Sequence, residues 1–327
     1  MTNNIHMLSL KQVYDLGIKL GMTADPRGQK SVGKYLERTK KEYNDLKPED
    51  KKYFDEEKLV NPYEDCRIHC GDLKAPIKRV LAGIDIGPGE ILLATQLNER
   101  GKKIDTVIGH HPIGGALAGL HGVMDMIGEM YENLGVPVHT AERLMEERIR
   151  EVGRGLHPIN HYQIIDTAKL LGVNVLNMHT PTDNLVTKFL EDFLAKKKPE
   201  TVGDIMKALM EIPEYQEAKR RGAGPNLFAG NPRNKVGKLF VEMTGGTNPS
   251  SKVYSELSRA GVSTLVGMHM RDDSREKATE YHMNVLIAGH MSSDSLGMNL
   301  YLDELEKKGV EIIPCSGLMR VSRTKKK

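Results

Sequence analysis

The run Asp105-Thr-Val-Ile-Gly-His110-His111-Pro112 constrains this chain more tightly than any other. Thr106, Val107 and Ile108 read as a short buried strand that Gly109 ends, and Pro112 forbids further pairing. Two adjacent histidines are left at the strand's C-terminal end. In an α/β sheet, sites form where strand C-termini open into loops and helix starts.

Strand and helix alternate around this point. Residues 79–84 read as a strand, 91–100 as an amphipathic helix and 106–108 as the next strand. Strand, helix and strand in about 30 residues make a βαβ unit, hence a parallel pair with a right-handed crossover. The pattern continues with a Met-rich helix over 119–134, a short strand over 136–138 and helices over 142–152 and 161–171. A strand over 173–178 and a helix over 185–195 lead to the linker Lys196-Lys-Lys-Pro199. A second unit then begins, with helices over 202–210 and 253–260 and strands over 236–241, 263–266 and 283–288. A helix over 293–308 and a strand over 310–313 close the chain. Residues 8–58 are polar and helical, and read as an appended region for packing or assembly. The methionines of 119–134 read as core filler.

Two more strand ends share the chemistry of the first. Met178 is followed by His179-x-x-x-Asp183, and Ala288-Gly289 by His290-x-x-x-Asp294. Imidazole and carboxylate suit borderline divalent cations. Residues four apart at a helix start face the same way, so His290 and Asp294 can serve one site. Carboxylates converging on one sheet edge would repel and be costly to desolvate, and a cation removes that cost. Cysteine takes no part, so the expectation is an open, water-bearing metal site rather than a closed structural one.

Other motifs read as structural. Cys66-Arg-Ile-His69-Cys70 lacks a second ligand pair at zinc spacing and reads as an ordinary strand. Thr244-Gly-Gly-Thr-Asn-Pro-Ser-Ser251 before a helix could cradle a phosphate, but reads more simply as a tight turn with an N-cap. His269, Asp272 and Asp273 follow another strand end; they could line the cavity, but read first as surface or lobe-contact residues. His121, His139, His157 and His161 have no carboxylate at ligand spacing.

Composition bounds the partners. The chain has 327 residues, room for about two domains at roughly 150 residues each. It has no tryptophan and only 5% aromatics, which argues against a surface of stacked rings. The net charge is +3, part of it in the tail Arg323-Thr-Lys-Lys-Lys327, read as a solvated end; no basic stripe indicates nucleic acid. Three cysteines without a framework fit a reducing compartment, and Met1–His6 lacks the basic and apolar regions of a signal peptide. No apolar run reaches the roughly 20 residues that span a bilayer, so a cytoplasmic protein is expected.

Strand-Gly-His-His-Pro, then His-x-x-x-Asp, then Ala-Gly-His-x-x-x-acid-x-x-Gly resembles the dinuclear metal-centre family typified by YbgI and YqfO. Its eukaryotic members are the Nif-three-like proteins, and many members are labelled GTP cyclohydrolase 1 type 2 homologues. The likeness runs from about residue 60 to the C-terminus, and Ala82-Gly-Ile-Asp85 resembles the family's first strand. It implies that His110 and His111 each bind one of two divalent ions (Zn, Fe, Mn, Co or Mg). Asp183, His290 and Asp294 would complete the pair, with Asp294 bridging and His179 beside the site, supporting the ligands from behind or handling protons. The family usually has Glu where this chain has Asp294, one methylene shorter.

The resemblance further implies an α/β fold of two similar lobes with mixed, partly parallel sheets, and a toroidal homo-hexamer. An N-terminal helical extension over 1–70 would precede a metal-binding lobe of 71–198 with 284–327 and a second lobe of 199–283. The function it suggests is a metal-dependent hydrolase acting on a small molecule, a nucleotide or phosphoester. The alternative is a non-enzymatic metal-binding or interaction protein working through its ring.

Overall fold

Two sheets carry the fold in the computed structural model, which describes residues 7–324. Met1–His6 and the last three residues of the basic tail, on which the leader and solvated-end readings fall, lie outside the described residues. The first sheet has five strands in the order Glu311–Pro314, Arg79–Gly83, Thr106–Gly109, Val175–Asn177 and Arg67–Cys70. All pairs are parallel except the last, where Arg67–Cys70 runs antiparallel on the edge. The second sheet orders Asn226–Ala229, Asn284–Ile287, Val262–Gly267 and Lys238–Glu242, again parallel except for its first strand. Both are mixed α/β sheets with parallel centres.

The two sheets follow one path. In each, a strand earlier in the chain pairs antiparallel with the last of three consecutive parallel strands. In each, the second parallel strand ends in a glycine whose carbonyl accepts from the residue just beyond the third: Met178 N to Gly109 O at 2.9 Å, and Ala288 N to Gly267 O at 2.8 Å. One cluster of buried side chains runs from Leu10 and Ile108 to Phe240 and Val285, so the lobes share a core. The strand Asn284–Ile287, which sequence alone grouped with the metal-binding lobe, is hydrogen-bonded inside the second sheet. The chain returns to the first sheet one element later, through helix His290–Lys307.

Local chemistry explains most elements. Thr106–Gly109 is buried at every position, the pattern of a parallel strand covered on both faces. The N-terminal helix Leu10–Ala24 starts at Ser9, which forms a capping box with Gln12. It buries Leu10, Val13, Tyr14 and Ile18. Its Gly17 and Gly21 lie against Met178 and Pro181, so the helix backbone rests on the junction that carries His179. Arg67–Cys70 is the expected ordinary strand, and His69 hydrogen-bonds Asn177 at 2.9 Å.

Elsewhere the local reading changes. Residues 136–138 form no strand. Pro137 caps helix Val138–Leu156, because its fixed φ suits a helix start. The single helix expected over 119–134 is two, Gly114–Val123 and Asp125–Asn133, meeting at Met124. Helices Pro213–Arg220 and Asp272–Glu280 and strand Asn226–Ala229 are additional; each is short and carries little apolar periodicity. No helix among the described residues is long and apolar enough to cross a membrane.

Candidate metal centre

The strands bring the ligand-type residues to one level. Ile108 pairs with Leu176 and Gly109 with Asn177, so the first two strands end in step and set His110 and His111 beside His179. The third contribution comes from the other sheet. The expectation of one sheet edge is therefore corrected: the residues meet between the C-terminal ends of two sheets, because the lobes face each other across helices Thr180–Lys197 and His290–Lys307. These two helices pack along each other, and Gly297 lets them close up against the Thr182 carbonyl.

Both helices begin earlier than their apolar periodicity indicates, at Thr180 rather than 185 and at His290 rather than 293. Their opening turns bear the site residues, which interrupt the hydrophobic stripe. Pro181 sits where a helix tolerates it. Gly289, at φ 115°, turns the chain from strand into the second helix.

The floor of the cluster is buried, while His111 and His290 are partly exposed. His110 is 1% exposed, Asp183 3% and Asp294 0%. His110 Nε2 lies 3.5 Å from Asp183 Oδ1 and 3.5 Å from Asp294 Oδ1. Asp294 Oδ2 faces the other way, 3.4 Å from His111 Nε2 and 3.5 Å from His290 Nε2. His179 Nε2 is 3.7 Å from Asp183 Oδ2. All six residues singled out by sequence thus meet in one place.

Three of the histidines are oriented from behind. His110 Nδ1 contacts Met178 O at 3.1 Å and Thr182 Oγ1 at 3.0 Å. His111 Nδ1 is 2.7 Å from Asp85 Oδ1, and His179 Nδ1 is 2.7 Å from the fully buried Asp65. An acceptor at Nδ1 sets the proton there and leaves Nε2 bare toward the cluster, the arrangement of metal-ligating imidazoles. Sequence reasoning missed Asp65 altogether and read Asp85 only as part of a strand. Neither sits at ligand spacing from its histidine, so no local signal marks them.

His110 Nε2, Asp183 Oδ1 and both oxygens of Asp294 are buried without a hydrogen-bond partner. Each such atom costs about 1–3 kcal/mol if left unpaired. Protonation is under the same tension. Burial, with Asp294 and Asp65 nearby, pushes Asp183 well above the usual carboxylate range. Burial also works to raise Asp294, but His110, His111 and His290 outweigh it and hold that carboxyl far below. Burial lowers His110 and His290, whereas the facing carboxylates of Asp294 and then Asp85 overcome burial at His111 and lift it to about 9. A cation relieves all of these at once, and the residues present fit one. His110, Asp183 and Asp294 form one group that can hold a metal ion, and His111, His290 and Asp294 another; His110, His111 and His179 are a third.

A cavity opens over the cluster, and His269 lines it, its ring 4.6 Å from that of His290 and its Nδ1 3.1 Å from Asn248 Oδ1. Of the places open to His269, the structure gives it the cavity lining rather than the surface. Asp272 and Asp273 pair with Arg275 and Arg271 in the solvent-facing helix start. The 244–251 loop reaches the same cavity with Thr244, Thr247 and Asn248.

Two repeated α/β lobes closing on a buried histidine–aspartate cluster define a two-lobed α/β protein with a metal-type centre. No protein-family model and no curated protein matches the chain. Solved structures do. A NIF3 superfamily protein from Sphaerobacter thermophilus superposes with a TM-score of 0.73 over 95% of this chain and 99% of that one, at 25% identity. Reduced HcgD from Methanocaldococcus jannaschii aligns at 16% identity over 77% and 89% of the two chains, with a TM-score of 0.47. The protein ybgI aligns at 14% identity over 80% and 94%, with a TM-score of 0.46. The first of these carries the weight, and it covers essentially the whole of both chains. This likeness bears out the resemblance to the NIF3/YbgI-like family read from the sequence.

Proposed function

We propose that the protein is a divalent-metal-dependent hydrolase with a two-ion centre. The observation that carries this is the division of Asp294. Its Oδ1 faces His110 and its Oδ2 faces His111 and His290, so one carboxylate is shared by two ligand groups. The short side chain would therefore still reach both ligand groups. Zn, Fe, Mn, Co or Mg are all compatible with mixed imidazole and carboxylate ligands.

Two such ions, when bound, lower the pKa of water and polarise a phosphoryl or carbonyl oxygen. The chain's own residues do the rest. Asp65 holds His179 with the proton on Nδ1, so its Nε2 is free to accept one from the cavity. Asp85 and Thr182 hold His111 and His110 in line. The reaction class extends to phosphoesters, nucleotides and ring carbonyls; opening of a purine ring, the chemistry of GTP cyclohydrolases, is one case within it. A cytoplasmic ring of six chains belongs to the same reading.

Elemental analysis of metal-replete protein tests the centre. His111→Ala/His290→Ala should lower the content from about two ions per chain to about one; equal content in both proteins would sink the assignment. His179→Asn should keep its metal and lose turnover in a screen of phosphoesters, nucleotides and cyclic amides. No metal-dependent turnover by the wild type across that screen would leave a metal-binding protein acting through its assembly. The mass of the assembly in solution tests the six-chain ring.

A further inference from the structure

The cavity above the cluster selects among the substrates that such a centre could act on. Its volume is about 270 Å³, just below the roughly 300–1,000 Å³ of pockets for drug-sized ligands. Beyond the histidines and Asp183, much of the lining is apolar: Leu117, Leu120 and Ile127 from the first lobe, Met243 and Met268 from the second. All of these but Leu117 are buried. Met side chains adapt to the outline of an apolar guest.

No lysine or arginine lines the cavity among the described residues, and neither does any Phe, Tyr or Trp. Polyphosphates are held by guanidinium forks and ammonium groups, and purines by ring faces. The further charged residue of the lining is an acid, Glu242, held by Tyr131 Oη at 2.9 Å. The 244–251 loop, weighed above as a phosphate cradle, is committed elsewhere. Thr244 donates to Asn184 Oδ1 at 2.7 Å, and Asn248 engages His269 through its side chain and Arg148 Nε through its carbonyl. Gly245 and Gly246 pack against Ile127 and Leu120.

We infer that the ligand of this cavity is a small molecule with an apolar body and a single oxygen-bearing head group, one carbonyl or one phosphoryl, and that a nucleoside triphosphate is not its ligand. The head group meets the cluster and the body lies along Leu117, Leu120, Ile127, Met243 and Met268. This rests on the metal-centre reading above and narrows it.

Cobalt-loaded full-length protein, read by its visible d–d absorption, tests the inference with two probe series: alkyl hydroxamates from aceto- to hexanohydroxamate, and alkylphosphonates of matching length. Affinity should rise roughly fourfold per added methylene until the cavity is filled. The series that binds more tightly identifies the head group as carbonyl or phosphoryl. GTP and pyrophosphate should bind no more tightly than the shortest probes. Leu117→Ser should flatten the chain-length dependence of both series. A flat series in the wild type, or GTP binding tenfold or more above the longest probe, overturns the inference while leaving the metal centre intact. Cobalt that responds to neither acetohydroxamate nor methylphosphonate overturns both.

Discussion

In the first lobe the second parallel strand ends in Gly109 and continues into His110-His111; in the second, the equivalent strand ends in Gly267 and continues into Met268-His269. The third strands lead into His179-x-x-x-Asp183 and His290-x-x-x-Asp294. The chain path is repeated, and the histidine–aspartate spacing with it, yet the two halves supply different things. The first lobe provides three histidines, each braced from behind. The second provides one helix start and otherwise lines the cavity mainly with apolar and uncharged polar side chains beside His269 and Glu242, with Met268 where the first lobe has His110.

A one-residue offset separates the repeats further. Counted from the matched backbone bonds, His290 falls one residue later than His179, with Gly289 taking up the step. One residue is about 100° around a helix. The offset lets Asp294 look across at His110, His111 and His290, whereas Asp183 looks only toward His110 and His179. A repeat can thus hold a fold constant while a single inserted turn residue distributes the chemistry unequally.

The largest expected effect breaks the apparent equivalence of the two aspartates. Asp294→Asn should strip both ion positions, a loss beyond the roughly 10–100-fold that a supporting group behind a ligand is worth. Asp183→Asn should strip the position at His110 alone. Ion content by elemental analysis separates the two, and equal losses would show that the lobes contribute symmetrically. A smaller effect concerns how closely the lobes meet. Gly297→Ala places a methyl against the Thr182 carbonyl between the two site helices, and should cost about 1–3 kcal/mol in denaturant unfolding. An unchanged midpoint would mean the helices can part without penalty.

The smallest is a pH effect confined to the second lobe. Burial lifts Glu242 to about 7, against a lowering contribution from Tyr131. Its neutral form is favoured by the fold, so the stability it contributes is full below about 4.5, the unfolded value, and is lost as pH rises through about 7. Metal-free protein should lose stability across that interval, and Glu242→Gln should remove that part of the slope. The first lobe's matching strand ends in Gly83 and offers no such group. An unaltered slope in the variant would place the titration elsewhere.

Much of the site was legible because strand ends and helix starts are local events. Glycine after a buried apolar run, histidine beyond it and an aspartate four residues later can be read within ten residues, and all six marked residues do meet. The braces were not legible. Asp65 and Asp85 reach His179 and His111 from other strand ends, and hydrogen bonds across 114 and 26 residues leave no trace in spacing. His269 could not be assigned between surface and cavity for a similar reason: its place depends on the opposite lobe, which closes over it.

By itself, then, the sequence determined the alternation of strands and helices, the residue types at three strand ends, and hence the kind of ion they suit, because periodicity and ligand chemistry act over a few residues. Only the tertiary structure decided that the site spans two sheets rather than one edge, that Asp294 divides its oxygens between two ligand groups, and that the cavity above is apolar and free of basic side chains. Those depend on how two helices pack and which distant surfaces they bring together, and packing is settled by shape and burial summed over the whole chain.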